Sequence, residues 1–374
     1  MKKIWIPIIV IVIIIVLIVV FYKPAPKGTI KIGAIAPLSG EMANWGESMR
    51  GGIEIGVDEI NSSGGIKGRR IEIIWEDNQA CDKTASVTAF RKLIDIDKVK
   101  VVIIGCSGAT LSVAPIAEEN KIILLTPMAS AAKISEAGDF IFRTSISDNT
   151  QGKILGKYII EKLNFEKIGA IYVNNDYGVG LFDNLKNSFE NAGGNMVQAE
   201  KYEFGATDFK TQLIKIKAQS PEVLLIICYG SEGGLIAKQA RELGMDIQII
   251  GTDNFGTKEV VEAGKSTVEG SIFSTPALDD TKPGVQTLKA EFQKKYGKEP
   301  SILIVVADAY DATKILIKAI QTSGYDSSGI KDYLYSVKDY WGVTGNITID
   351  KNGDAEKPIS LQTVKNGQFV PYEE

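Results

Sequence analysis

The 374-residue chain has no histidine and only three cysteines. Without imidazole there is no Ser-His-Asp or Cys-His nucleophile pair, no histidine general base and no zinc site of the histidine type. Any catalysis would run through Lys, Tyr or carboxylates. Three cysteines also rule out a disulfide-dense scaffold. Nucleotide signatures are missing too. Tyr177-Gly178-Val179-Gly180 and Tyr229-Gly230-Ser231-Glu232-Gly233-Gly234 are glycine-rich but out of register for a dinucleotide fingerprint, and no phosphate-binding loop motif occurs. Asp350-Lys351-Asn352-Gly353-Asp354 lacks the spacing and final Glu of a calcium loop and reads as a hairpin turn. No cofactor and no metal are expected. What remains is ordinary for a globular chain, with 24% charged and 44% hydrophobic residues. The length suits two domains or two lobes of one unit.

The charge is unevenly placed. Residues 1–27 carry four lysines and no acid, which leaves 38 bases against 46 acids in the rest. An acidic body without a basic tract is a poor partner for nucleic acid. Ile4 to Phe21 is an uncharged run interrupted only by Pro7. As a helix it reaches about 27 Å, close to the hydrocarbon thickness of a bilayer. A cleaved secretory signal is the alternative, but Phe21-Tyr22-Lys23-Pro24 does not resemble a small-x-small cleavage site. We expect residues 1–23 to be a single-pass anchor or signal and 24–28 a short stiff linker. Lys2 and Lys3 then stay inside and the body lies outside the cytoplasm. Export suits the cysteines. Cys81 and Cys106 are candidates to pair in an oxidising space, whereas Cys228, in the apolar run Leu224–Cys228, reads as a buried free thiol. Three inert core cysteines are the alternative, and the residues alone leave it open.

From residue 29 onward short β-branched runs alternate with amphipathic segments. Strands are expected at Ile30–Ile35, Ile71–Trp75, Val99–Ile104, Ile122–Leu125, Ile168–Val173, Met196–Tyr202, Val223–Ile227 and Ile247–Ile250. Helices between them end at glycine, as at Gly64-Gly65, Gly193-Gly194 and Gly244, which suits a left-handed C-terminal position. Such alternation gives parallel sheets covered on both faces by helices. It runs once before about residue 145 and again after it. The last hundred residues break the alternation with helices at Pro283–Tyr296 and Ser301–Thr322 and late strands at Ile347–Ile349 and Ile359–Val364. The expected fold is α/β, with two doubly wound Rossmann-like lobes joined by a multi-strand hinge. Lobe 1 would comprise 29–144 and 276–342, and lobe 2 145–275 and 343–374.

Ligands of open parallel sheets bind beyond the carboxyl ends of the strands, so the residues that follow each strand are the candidates. Cys106-Ser107-Gly108 and Thr126-Pro127-Met128-Ala129-Ser130 present hydroxyls and free N–H groups at helix starts, an arrangement that favours an anion such as a carboxylate. Plain helix capping by Ser107 and Ser130 is the alternative. In the second half, Tyr177, Tyr229 and Asp253 follow strands. Asp253 could meet an ammonium group, or cap the short helix after it. Trp45, in the glycine-bordered loop after the first strand, reads as a further wall of the site or as core. Hydroxyls and helix starts on one lobe, with an acid and aromatics on the other, would suit a small zwitterion.

Taken together, Ile32-Gly33-Ala34-Ile35-Ala36-Pro37-Leu38-Ser39-Gly40, Asn61–Arg69, Asp77 with Cys81-Asp82, Thr126-Pro127 and Phe142-Arg143-Thr144 resemble the leucine/isoleucine/valine-binding family, from about residue 29 to the end. These are type I periplasmic binding proteins that serve ABC transporters. The resemblance implies a disulfide between Cys81 and Cys106. It implies carboxylate and ammonium contacts from Ser107, the backbone of Met128, Ser130 and Asp253, and walls from Trp45, Tyr177 and Tyr229. It implies no catalysis, a small amino acid (branched-chain first among candidates) as ligand, ABC permease subunits as partners and lobe closure as the mechanism. A ligand-sensing ectodomain, or a binder of amides or urea with the same fold, is the alternative. Three positions depart from the branched-chain pattern: Asp253 stands for Glu, Ser130 for Thr, and Ile304 or Val305 for an aromatic wall.

Overall fold

The computed structural model describes residues 28–373. Two sheets organise it. In the first, β1 (Ile30–Ala36), β2 (Ile71–Asp77), β3 (Val101–Ile104), β4 (Ile123–Thr126) and β5 (Ile141–Arg143) run parallel in the order β2-β1-β3-β4-β5. In the second, β6 (Lys167–Val173), β7 (Asn195–Tyr202), β8 (Val223–Ile227), β9 (Gln248–Gly251) and β10 (Ile272–Pro276) run parallel, and β14 (Ile359–Lys365) and β15 (Gln368–Pro371) add an antiparallel edge. Every residue of β3, β4 and β8 is buried. That is why these strands read as continuous apolar runs rather than alternating ones: helices cover both faces.

Helix Leu303–Ser323 belongs with the first sheet although it follows the second in the chain. Its Val305, Ala309, Ala312 and Leu316 share a core with Ile30, Ile32, Met49, Ile53 and Ile103. Helix Ala43–Ser62 lies against it at close range. A Cβ on Gly52 would stand 2.2 Å from the Val306 carbonyl oxygen, so only glycine permits this approach. The second core is separate and gathers Leu155, Ile171, Leu185, Leu225 and Phe255. The helix-ending glycines are left-handed as expected, with φ of 96° at Gly64, 101° at Gly193 and 73° at Gly244.

The chain crosses between the lobes after β5, after β10 and before β14. The last crossing falls later than the expected boundary at 342. A small antiparallel sheet of β11 (Tyr340–Gly342), β12 (Gly345–Ile349) and β13 (Ala355–Glu356) intervenes, and Ile347, Ile349 and Ala355 pack into the first lobe's core. Trp45 also sits differently from the sequence reading. It lies in the first turn of helix Ala43–Ser62 rather than in a loop. Gly46 does not end the loop but lets the helix start against the chain, since a Cβ there would be 2.0 Å from the Pro37 carbonyl. The short β5 and the Ser- and Thr-bearing β10 carry too little apolar pattern to be read from sequence.

Among the described residues no helix is long and apolar enough to cross a membrane. The expected span Ile4–Phe21 and the linker residues before Gly28 lie outside the described residues.

Candidate functional site

The carboxyl ends of both parallel sheets face one cavity at the crossings. Its lining includes Trp45, Ser107, Met128, Ser130, Tyr177, Tyr229 and Asp253, together with Cys81 and Cys106. All seven candidate ligand residues therefore surround one hollow. It offers about 80 Å³ to water centres, room for several waters.

On the first lobe the donors are neutral and held in place. Ser107 is the first residue of helix Ser107–Asn120, and the residue at the cap position is Cys106, whose side chain makes no cap bond. Ser130 likewise precedes the cap position Ala131 of the next short helix. Neither serine is thus spent on helix capping. The Ala131 N–H donates to Ser107 Oγ at 3.1 Å, which leaves the Ser107 hydroxyl hydrogen free to donate elsewhere. The first-turn N–H groups of the helix add unpaired donors and a positive dipole end. At Met128 the N–H lies 3.4 Å from Thr126 Oγ1, a poor bond, while Ala129 makes the better one at 3.0 Å.

The backbone around Ser107 is strained. Cys106 has φ of 72°, a region that non-glycine residues rarely occupy. Its disulfide to Cys81, with Cα atoms 5.8 Å apart, holds it there. Cys228 is a buried free thiol, in line with its apolar surroundings.

Arg143 is the group that sequence reading quoted but gave no role. It is fully buried. Its Nη1 donates to the carbonyls of Ser130 at 2.7 Å and Ala131 at 2.9 Å. Nε donates to Asp354 Oδ1 at 2.6 Å, and Nη2 reaches Asp354 Oδ2, Ser135 Oγ and Ser147 Oγ. One guanidinium thereby ties the serine loop to the β12–β13 turn and to the first crossing. That turn is the Asp350–Asp354 segment, closed by Asp350 Oδ1 accepting from the N–H groups of Asn352 and Asp354, at 2.8 and 2.9 Å. An arginine inside the otherwise apolar run Ile141-Phe142-Arg143 was the signal available in the sequence.

The second lobe supplies a charge. Tyr177 Oη donates to Asp253 Oδ1 at 2.8 Å and lies 3.0 Å from Thr252 Oγ1, so its orientation and that of the carboxylate are fixed together. Burial holds the Asp253 carboxyl above its ordinary range, and the Tyr177 hydrogen bond opposes this. A cation brought against Asp253 would relieve that desolvation. Tyr229 packs 5.1 Å from Tyr177, and Trp45 meets its edge at 6.5 Å from across the cleft. The remaining walls are apolar, with Met42, Ile302, Ile304 and Val305.

Two further groups brace the floor. Asp308 lines the cavity and pairs with Lys357 at the third crossing, both side chains nearly inaccessible. Burial pushes the Asp308 carboxyl up to about 6, with the Lys357 charge pulling the other way. Beside it the second and third crossings are joined by the Ala277 N–H donating to the Pro358 carbonyl at 3.0 Å. At the mouth the lobes touch through Lys83 and Asp176 at 2.6 Å and through Asn44 and Glu259 at 3.1 Å.

Two α/β lobes joined by three crossings, with complementary polar groups facing one hollow, define a protein that encloses a small solute. The chain belongs to the periplasmic binding protein family, whose model matches residues 29–368. It is 30% identical over 349 residues to the leucine-, isoleucine-, valine-, threonine- and alanine-binding protein of Pseudomonas aeruginosa, covering 92% of this chain and 90% of that one. It is 29% identical to the Leu/Ile/Val-binding protein of Escherichia coli, covering 87% and 88%. Among solved structures, a leucine-binding protein of Thermotoga maritima superposes with a TM-score of 0.83 at 30% identity, covering 92% of this chain and 98% of that one. The substrate-binding protein LivJ of Streptococcus pneumoniae, in complex with isoleucine, gives 0.81 at 30%, with 92% and 100% covered. Proteins of this family bind solutes and are not enzymes.

Proposed function

We propose that the protein is the extracellular solute-binding component of an ABC importer and takes a free α-amino acid of small size, branched-chain ones among them. In this reading Ser107, Ser130 and the backbone of Met128 hold the carboxylate, Asp253 takes the ammonium, and Trp45, Tyr177 and Tyr229 wall the side chain. The observation that carries it is the facing of neutral donors on one lobe and a buried carboxylate on the other around a single hollow. A zwitterion satisfies both ends, and a singly charged or apolar mimic leaves one buried group unpaired. Closure of the lobes then creates the shape that a permease engages. The names of the amino-acid-binding relatives favour the same class. The uncharged run Ile4–Phe21 supports a tether to the membrane, on sequence grounds alone.

Calorimetry with leucine, isoleucine, valine, threonine, alanine and small amides tests the reading. At least one amino acid should bind below millimolar. Tighter binding of amides than of every amino acid would reassign the ligand.

A further inference from the structure

One hydroxyl of the cavity lining is buried without a partner. Thr257 is 4% exposed and lines the hollow. It stands immediately before helix Lys258–Gly264 with extended backbone, the place where a threonine oxygen normally accepts a first-turn N–H. That bond is absent. The Val260 N–H goes instead to the Thr257 carbonyl at 3.1 Å. The hydroxyl oxygen is buried without any hydrogen bond. Three other hydroxyls of the cavity have protein partners: Ser107 accepts from Ala131, Ser145 donates to Ala129, and Tyr177 donates to Asp253. Asn254, 5% exposed and also in the lining, has a side-chain amide that makes no hydrogen bond among the described residues.

These groups follow Asp253 directly along the second lobe's wall. Their backbone is fixed, since a Cβ on Gly256 between them would come within 2.4 Å of the Phe273 ring. Opposite wall groups such as Ile302, Ile304 and Val305 are apolar. Buried polar groups in proteins are paired almost without exception, so an orphan hydroxyl in the lining of a binding cavity points to a ligand atom that completes it.

We propose that Thr257, with the Asn254 amide beside it, forms a polar subsite that reads a hydroxyl or carboxamide on the ligand's side chain. The inference rests on the amino-acid reading above and refines it. The protein prefers the polar member of an isosteric pair, threonine over valine or asparagine over leucine. A site that hydrogen-bonds a substrate group discriminates against the analogue that lacks it, because its own polar atoms stay unpaired.

Titration calorimetry of the wild type, Thr257→Val and Thr257→Ser with those four amino acids decides it. In the wild type one polar member should bind about tenfold more tightly than its apolar isostere, the worth of one net hydrogen bond. Thr257→Val should abolish that preference and leave the apolar partner's affinity within about twofold, while Thr257→Ser, which keeps the hydroxyl, should retain it. Equal or reversed affinities in the wild type, or a preference that survives Thr257→Val, overturn the subsite and leave the amino-acid reading standing. Silence with all four ligands defeats the amino-acid reading and the subsite with it.

Discussion

In the proposed reading the two lobes solve opposite halves of one recognition problem by different means. The first lobe would meet negative charge without a positive side chain, since no Lys or Arg lines the cavity. It would use the Ser107 hydroxyl, helix N–H groups and the N–H of Met128, on a loop braced by the Cys81–Cys106 link and by Arg143 behind it. The second lobe would meet positive charge with a carboxylate, Asp253, whose buried site lifts its affinity for protons. Neutral dipoles are cheap to desolvate and can be kept in place by covalent and hydrogen-bonded bracing. A lone carboxylate is not, and its stability depends on what arrives opposite it.

The sharpest way to break this comparison is Asp253→Ala. Removing one partner of a buried charge pair should weaken amino-acid binding by about 3 kcal/mol while a small amide is affected far less. Calorimetry with both ligands reads the difference, and equal losses would refute the ammonium role. Of similar size on a different scale, opening the disulfide in a Cys81→Ala/Cys106→Ala variant should lower stability by about 3 kcal/mol, from the loop of 25 residues it closes. Denaturant unfolding measures this, and affinity should fall as well because Cys106 adjoins Ser107. Ser107→Ala removes one neutral donor and should weaken binding by about 1 kcal/mol, well below the Asp253 effect. A loss as large as that of Asp253→Ala would mean that the first lobe's dipoles do not share the anion among them.

The smallest effect concerns Asp148, which is fully buried. Burial first and the Asp253 charge second push its carboxyl well above the ordinary 3.8, against the pull of Arg143 and of the Ser130 side chain. An acid with a raised folded-state value adds stability below its unfolded value and loses it as pH rises through the folded one. Asp148→Asn should therefore be more stable than the wild type at neutral pH by about 1 kcal/mol, with the advantage gone near pH 4. Thermal unfolding at the two pH values checks the sign.

What could be read in the sequence was local. Strands such as Val223–Ile227 announce themselves because parallel strands are buried on both faces, and their ends carry Ser107, Tyr229 and Asp253 by necessity of the fold. The glycine stops were equally legible, since only their backbone freedom was needed. Features that depend on distant segments meeting were not. Arg143 reaches Asp354, 211 positions away, and nothing near either residue announces the pair. Ile347 and Ile349 suit either lobe by pattern, and only packing assigns them to the first. Trp45 looked like loop because Gly46 reads as a breaker, whereas its missing Cβ serves a close contact. Thr257 was not singled out at all: it stands at a cap position, and its idleness shows only once the hydroxyl's surroundings are known.

The left-handed turn at Cys106 has a practical reach beyond the cleft. Because the disulfide that restrains it sits next to Ser107, which the proposed reading places on the solute's carboxylate, solute affinity would carry a record of how each molecule matured. Material made in a reducing cytosol would keep both apolar cores yet present a slack anion loop. Preparations of identical chain and comparable helicity could then differ in affinity through their oxidation history alone.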